Sequence, residues 1–329
     1  MVDVTTDALR QAARVAQRAP SVFNTQPWRW RVGADLLELV ADADRQLEVD
    51  PAGRMLTVSC GTALHHARVA LAAAGYRSTV ERLPDPDRPE LLARLRTGDA
   101  HEPDLADLAL REAIDRRRTD RRGFGDRPVP EAVVRRLRVS VEEQGASLHV
   151  VREDQLPVLA AAVEKAGELE LADPAYRAEL IRWTHRPQWS GDGVPAATAV
   201  EYAPRPVPVR EFSLGPEPRL DAGPGTDRGA VYAVLFGDRD EPASWLRAGE
   251  ALSAVLLTAT AVGLASAPVS DVVEVHATRE LLRGLLSGIG YPFLVLRFGY
   301  AAAADEVPDA PRRNPDEVIE VMDGNGSME

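Results

Sequence analysis

The chain has 329 residues, 45% of them hydrophobic and 27% charged, a balance that reads as globular and gives room for one large domain or two ordinary ones. Its formal net charge of −12 argues against nucleic acid or an anionic membrane surface as partner. No run of about 18 apolar residues predicts a membrane span. The polar, acidic start lacks the layout of a secretory signal, and the lone Cys60 can form no internal disulfide; both lead us to expect a cytoplasmic protein.

Taken in chain order, residues 4–18 read as a helix with Thr6 or Asp7 as N-cap, ended by Pro20. The strands "WRWRV" and "LLELVAD" follow, joined by a tight turn at Gly33 to Asp35. Residues 61–75 form an apolar helix closed by Gly75, and further helices are expected at 104–118, 131–144, 154–172, 175–185 and 241–262. Strands are expected at 147–151, 230–237 and 293–299. The fold class is therefore α+β. Between the last helices and strands, residues 187–228 are nearly one-third Pro and Gly without periodicity. A stretch this long in a compact domain is usually a functional lid or disordered. Trp189, Tyr202 and Phe212 give it something to bury, which favours a lid.

One internal echo is visible. "GTALHHARVALAAAG" (61–75) aligns without gaps on "GEALSAVLLTATAVG" (249–263), matching at both end glycines. Either two alanine-rich helices resemble each other by chance, or the chain is a duplicated unit whose halves pack like a dimer.

Four stretches can carry chemistry. "APSVFNTQPWRW" (19–30) is a stiff turn in which the amides of Asn24 and Gln26 can meet a heterocycle edge or tie down their own loop. "RRRTDRRGF" (116–124) places five arginines within seven residues, suited to a phosphate or to a helix C-terminus. "GLASAP" (263–268) offers small residues where backbone can approach a planar group, and "APRRNP" (310–315) adds two late arginines. His65 and His66 are adjacent on a helix and make no metal pair; a surface or packing role is expected. No CxxC, HExxH, GxSxG, P-loop or GxGxxG signature occurs, so zinc, nucleophilic and Rossmann-type chemistry are poorly supported.

In combination, "NTQPWRW" and "RRTDRR" resemble the flavin-binding turn and the Arg-Ser/Thr-Arg phosphate motif of nitroreductases. The closest resemblance is to the actinobacterial Acg-like subfamily, in which two nitroreductase units are fused, and it covers residues 7 to about 320. The resemblance implies a nitroreductase fold duplicated in one chain: a first half at 1–103, a second at 104–329, and a lid at 187–228. It implies a monomer with an internal pseudo-dimer and one FMN, because neither motif occurs a second time. It implies that Ser21, Asn24 and Gln26 bond the flavin ring or ribityl chain and that Ala265 and Ser266 lie near the ring. Arg117, Thr119, Arg121 and Arg313 would hold the phosphate, with a one-residue register error toward Arg118 or Arg122 allowed. Gly123, where the subfamily commonly has proline, implies a looser turn. The activity implied is passage of electrons from NAD(P)H through FMN to a nitro- or quinone-like aromatic acceptor, with no side chain acting as acid, base or nucleophile. The alternative is an FMN-sequestering protein whose lid blocks access.

Overall fold

The computed structural model describes residues 4–210, 212 and 214–322. Its elements are α1 (Val4–Ala16), β1 (Trp28–Val32), β2 (Leu36–Ala41), α2 (Arg54–Ala73), β3 (Tyr76–Arg82), β4 (Leu91–Ala100) and α3 (Leu105–Arg116). They continue with α4 (Glu131–Glu142), β5 (Ser147–Val150), α5 (Leu156–Ala172), α6 (Pro174–Thr184), β6 (Val231–Gly237) and α7 (Pro242–Ala261). The chain closes with β7 (Ala265–Val269), α8 (Asp271–Glu274), α9 (His276–Leu285), β8 (Tyr291–Gly299), α10 (Pro315–Val318) and β9 (Ile319–Val321).

Two sheets result, ordered β3-β4-β2-β1-β9 and β5-β6-β8-β7. Every pairing is antiparallel except β1 with β9, where Trp30 lies beside Ile319. The helix-strand-strand-helix-strand-strand run α1-β1-β2-α2-β3-β4 is repeated as α4-β5-β6-α7-β7-β8. In both, the fourth strand sits between the second and third, so the two sheets have the same order. The second copy differs by two insertions, α5 and α6 with the lid between β5 and β6, and α8–α9 between β7 and β8. The chain is a duplicated unit, and the fold class is α+β.

The echo between the two helices is the axis of this pseudo-dimer. Counterpart residues on α2 and α7 are 188 positions apart, as are His65 and Ser253, which meet at 2.8 Å. A Cβ on Gly61 would fall 2.1 Å from the carbonyl of Leu246, and one on Gly249 would fall 2.0 Å from that of Val58. These contacts are mirror images under the offset, so the two glycines mark the crossing point. Gly75 and Gly263 hold φ +85° and +79°, each ending its helix in the left-handed region.

Several boundaries depart from the sequence expectations. α2 begins at Arg54, seven residues before Gly61, because the Asp50 carboxylate accepts from the backbone N–H of Arg54, Met55 and Leu56 at 2.8–3.1 Å. Thr6 and Asp7 lie inside α1, not at its cap, since the helix already includes Val4; the Thr6 hydroxyl donates instead to Ala34 O at 3.2 Å. The strands β3 and β4 were not expected: β3 carries Ser78 and Arg82 on its inner face and buries no residue, and β4 buries Leu91, Leu92 and Ala93 in a row before an exposed end. "GLASAP" contributes strand β7, and α9 lies where no helix was expected.

Candidate functional site

A deep cleft lies where the turn after α1, the loop after α3, the end of β7 and the lid converge. Ser21, Asn24, Arg117, Thr119 and Arg121 all line it, so the two motifs, about a hundred residues apart, share one site. Ser59 and Thr62 of α2 form part of its floor. The Ser59 hydroxyl accepts from Val22 N at 3.1 Å, and the Thr62 hydroxyl donates to Pro20 O at 2.6 Å, so the central helix holds the turn in place.

The turn itself is strained. Phe23, Asn24 and Gln26 sit at φ 44°, 54° and 50°, a region that L side chains visit rarely. What holds them is the use to which the two amides are put. Asn24 donates to Gly193 O at 3.1 Å and Pro311 O at 3.0 Å, and its oxygen accepts from the Arg312 guanidinium. Gln26 donates to Gly191 O at 2.8 Å and Asn24 O at 3.3 Å, while its oxygen accepts from Arg313 N at 3.0 Å. Each carboxamide thus spends both donors and its acceptor on protein. Gln26 is fully buried and does not line the cleft. Both amides stitch the base of the lid and the C-terminal segment to the turn; of the two residues expected at the flavin ring or ribityl chain, Asn24 lines the cleft and Gln26 does not. Ser21 stays at the cleft surface, its oxygen accepting from Gln26 N at 2.9 Å.

The arginines divide by role. Arg117 is buried against the cleft, and its Nε and Nη1 have no partner among the described residues. Burial, then Arg118 and Arg18, pull its pKa down to about 10. Arg312 is held down to about 9 by burial and then by Arg117 and Arg18. Arg121 is lowered to about 10, chiefly by burial; it donates to Thr198 O at 3.1 Å and lies 5.1 Å from the centre of the Phe212 ring. The main counter-charge is Asp309, which meets Arg118 at 2.8 Å. Such a concentration of cations is costly unless an anion enters. Arg122, by contrast, is structural, pairing bidentately with Asp120 at 2.9–3.0 Å.

Three further expectations shift. Arg313 does not line the cleft, because it is buried against Asp42 at 3.1 Å; its neighbour Arg312 takes the lining position. Ala265 and Ser266 lie too early on β7, where Ser266 O accepts from Asp120 N at 3.0 Å; Ala267 through Asp271 reach the cleft instead. Gly123 does not loosen the turn. A Cβ there would fall 2.1 Å from Gly225 O, so glycine lets the end of the lid pack directly on the arginine loop. His65 and His66 are buried, both with Nδ1 2.8 Å from the Ser253 hydroxyl, a packing role.

The lid supplies the cleft's remaining wall through Gly193, Val194, Pro195, Thr198, Val209, Arg210 and Phe212. Its base is fixed by Asp192, whose fully buried carboxylate meets Arg186 at 2.7 Å and Arg45 at 2.9 Å. Of its three aromatic residues only Phe212 is buried; Trp189 and Tyr202 are 86% and 77% exposed, against expectation. The burial expected of them is done by Trp183 and Tyr176 of α6, which join Phe23, Val194 and Phe212 in a small satellite core.

The pseudo-symmetric position is closed. Glu250 stands on α7 where Thr62 stands on α2, and Arg82 ends the first copy's third strand where Ser270 follows the second's. Glu250 is fully buried, meeting Arg68 at 2.8 Å and Arg82 at 2.6 Å, and Arg68 also donates to Gln144 at 2.7 Å. One copy of the site is a cleft; the other is an ion-paired strut.

No family model matches the chain. Among curated proteins, "Putative NAD(P)H nitroreductase Rv3131" of Mycobacterium tuberculosis is 41% identical over 327 residues, covering 95% of this chain and 91% of the relative. "Putative NAD(P)H nitroreductase acg" of the same species is 38% identical over 322 residues, covering 97% of each chain. Among solved structures, the FMN-dependent nitroreductase NfnB from Mycobacterium smegmatis in complex with NADPH aligns with a TM-score of 0.41 and 20% identity, covering 65% of this chain and 97% of that one. On the two near-full-length relatives, the chain belongs to the Acg-like family of nitroreductase-related proteins.

Proposed function

We propose that this protein binds one FMN per chain in the cleft and works as an NAD(P)H oxidoreductase of the nitroreductase type. The observation that carries the reading is Arg117, a buried cation lining the cleft, two of whose nitrogens have no partner among the described residues, in a cleft already crowded with Arg18, Arg118 and Arg312. A phosphate monoester would supply the missing anion, and guanidinium forks match its oxygens. The names of the relatives, and NfnB's description as FMN-dependent, support the same reading. When bound, FMN would supply hydride acceptance from NAD(P)H and electron delivery to a nitro- or quinone-like aromatic acceptor.

The chain's own part is binding and orientation. Arg117, Arg118, Arg121 and Arg312 would hold the phosphate, with Thr119 adding a hydroxyl. Ser21, Ser59 and Thr62 lie along the floor between the motifs, and Ala267 through Asp271 line the cleft from β7. Only one site is usable, because Glu250, Arg68 and Arg82 fill the other.

A second reading, flavin sequestration, is favoured by one observation: the lid both forms a wall of the cleft and is anchored at Asp192 by two arginines. The double variant Arg117→Ala/Arg121→Ala separates cofactor binding from fold. We expect folded, colourless protein, with FMN affinity down at least a hundredfold, from two charge-assisted contacts of about 1.5–3 kcal/mol each. Retained stoichiometric flavin would overturn the assignment. In wild type, an anaerobic NADPH titration distinguishes the readings. Rapid bleaching of the flavin band supports the oxidoreductase, and bleaching by dithionite alone supports sequestration.

A further inference from the structure

Between α3 and α4 the arginine loop has no helix or strand to satisfy its backbone, so its peptide groups need partners from elsewhere in the fold. One side chain supplies two of them. Arg297, near the end of β8, is fully buried. Its guanidinium donates to Asp120 O at 3.0 Å, to Arg122 O at 2.8 Å and to the Asp227 carboxylate at 2.6 Å, and it lies 4.0 Å from the centre of the Phe124 ring. Asp227 continues the grip. Its other oxygen accepts from Phe124 N at 2.7 Å, and its backbone N–H donates to Phe124 O at 3.0 Å. The two carbonyls held by Arg297 flank Arg121, which lines the cleft, whereas Arg297 and Asp227 do not.

A buried ion pair is a poor way to stabilise a core, since apolar residues of similar volume are often at least as stable. What an apolar residue cannot do is hold two carbonyls in a fixed relation. The duplicated unit offers an internal comparison. The 188-residue offset takes Thr79 of β3 to Ala267 of β7; Thr79 pairs with Arg96 on β4, and Ala267 pairs with Arg297 on β8. Arg96 is therefore the counterpart of Arg297. It too meets an aspartate, Asp35 at 3.1 Å, but those two side chains are 50% and 69% exposed. Where the site is closed, the pair lies at the surface. Where the site is a cleft, the pair is buried beneath the loop.

We propose that Arg297, fixed by Asp227, is the positioning residue of the arginine loop and sets the cleft's preference for a phosphate monoester without touching it. The inference rests on the flavin reading above. By holding the peptides on both sides of Arg121, the pair fixes the direction in which that guanidinium leaves the backbone. It thereby fixes where Arg121 stands relative to Arg117, which caps the end of α3. Guanidinium groups hold an anion best when they are set in place before it arrives. A loop free to shift would lose phosphate affinity and keep its hold on the rest of the ligand.

The test is a pair of titrations of the flavin-free full chain, one with FMN and one with riboflavin, which share ring and ribityl chain and differ in the phosphate. Wild type should prefer FMN by about a hundredfold or more. Arg297→Lys keeps a charge opposite Asp227 but cannot fork over both carbonyls. It should cut the preference about tenfold or more and leave riboflavin affinity within about twofold. Arg297→Met/Asp227→Asn removes both charges, leaves Phe124 N an acceptor, and should act in the same way; it decides the matter if the first variant does not fold. Arg96→Met, in the other copy, should change neither affinity. A preference that survives in the folded variants overturns the proposal. So does an equal loss of FMN and riboflavin, or loss of the fold in both variants, since either assigns the pair to the core. A wild type that binds the two flavins equally overturns the phosphate reading itself and the proposal with it, so the two failures are distinguishable.

Discussion

At the scale of single residues, the cleft is built from groups that are individually unfavourable. Arg117 is buried without an anion, and Phe23, Asn24 and Gln26 occupy left-handed backbone. Strain and unpaired charge of this kind persist where surrounding structure over-determines them, and they concentrate at binding sites. Arg117 and Arg121 were legible because clustered guanidinium groups have few uses besides anions and helix ends. Arg312 and the bonds of Asn24 and Gln26 to the lid and C-terminal segment were not, because these partners lie 165–294 residues away along the chain. His65 carries a prediction of its own. Burial, then Arg68, depresses its pKa to about 3, so the folded state keeps it neutral while the unfolded chain takes up a proton below about pH 6.5. The unfolded state then binds more protons, and stability falls with pH, by about 2 kcal/mol for one such imidazole at pH 5. Glu170 has the opposite slope, since its pKa is raised on folding. The contribution is therefore read as a difference: the stability gap between wild type and His65→Asn should shrink by about 2 kcal/mol between pH 7.5 and pH 5 in urea titrations.

At the scale of elements, α2 and α7 fix everything else. They cross with no side chain between them at Gly61 and Gly249, which brings Ser59 and Thr62 under the turn and Leu252 into the cleft wall. Gly61→Ala or Gly249→Ala must push a backbone away from within about 2 Å, and each should cost more than about 3 kcal/mol, or prevent folding. Gly263→Ala meets nothing within 4 Å and carries only the cost of its positive φ, about 1 kcal/mol. Thermal melts of the three variants test this ordering; a mild Gly61→Ala would mean the helices can slide apart. The echo in the sequence aligned Gly61 with Gly249 without showing that they touch; the close packing of the two helices at that point is what constrains both to Gly. The strands β3 and β4 escaped notice because the inner face of β3 includes Ser78 and Arg82 and β4 begins with three consecutive buried residues, so neither reads as clean apolar alternation.

At the scale of the whole molecule, the lid is the part most able to change what the protein does. It is joined to the turn through Gly191 and Gly193, to α6 where Val194 N donates to Trp183 O, to Arg186 and Arg45 through Asp192, and to the arginine loop where Gly225 packs on Gly123. Asp192→Asn removes the anion that Arg45 and Arg186 share and should free the lid base while sparing the satellite core. We expect a destabilisation of about 1–3 kcal/mol and, if the lid limits access, faster flavin bleaching by NADPH in stopped-flow. Unchanged bleaching with a lowered melting temperature would assign Asp192 to the fold alone. That this long segment has apolar surface to lay against a neighbour was readable from its composition. Its anchoring was not, because the expected anchors, Trp189 and Tyr202, face solvent, and a carboxylate does the work.

The strut formed by Glu250, Arg68 and Arg82 has a consequence for how such a molecule changes over generations. In a dimer of identical chains, every substitution appears twice, once in each site, so a residue that improves one corner of the assembly must be tolerated at its mirror position. Joining the two units in one chain removes that constraint. Thr62 and Glu250 occupy the same place in the two copies, yet one can keep a cavity open while the other welds it shut. The surviving cleft is then free to drift toward new ligands with its mirror image acting only as ballast.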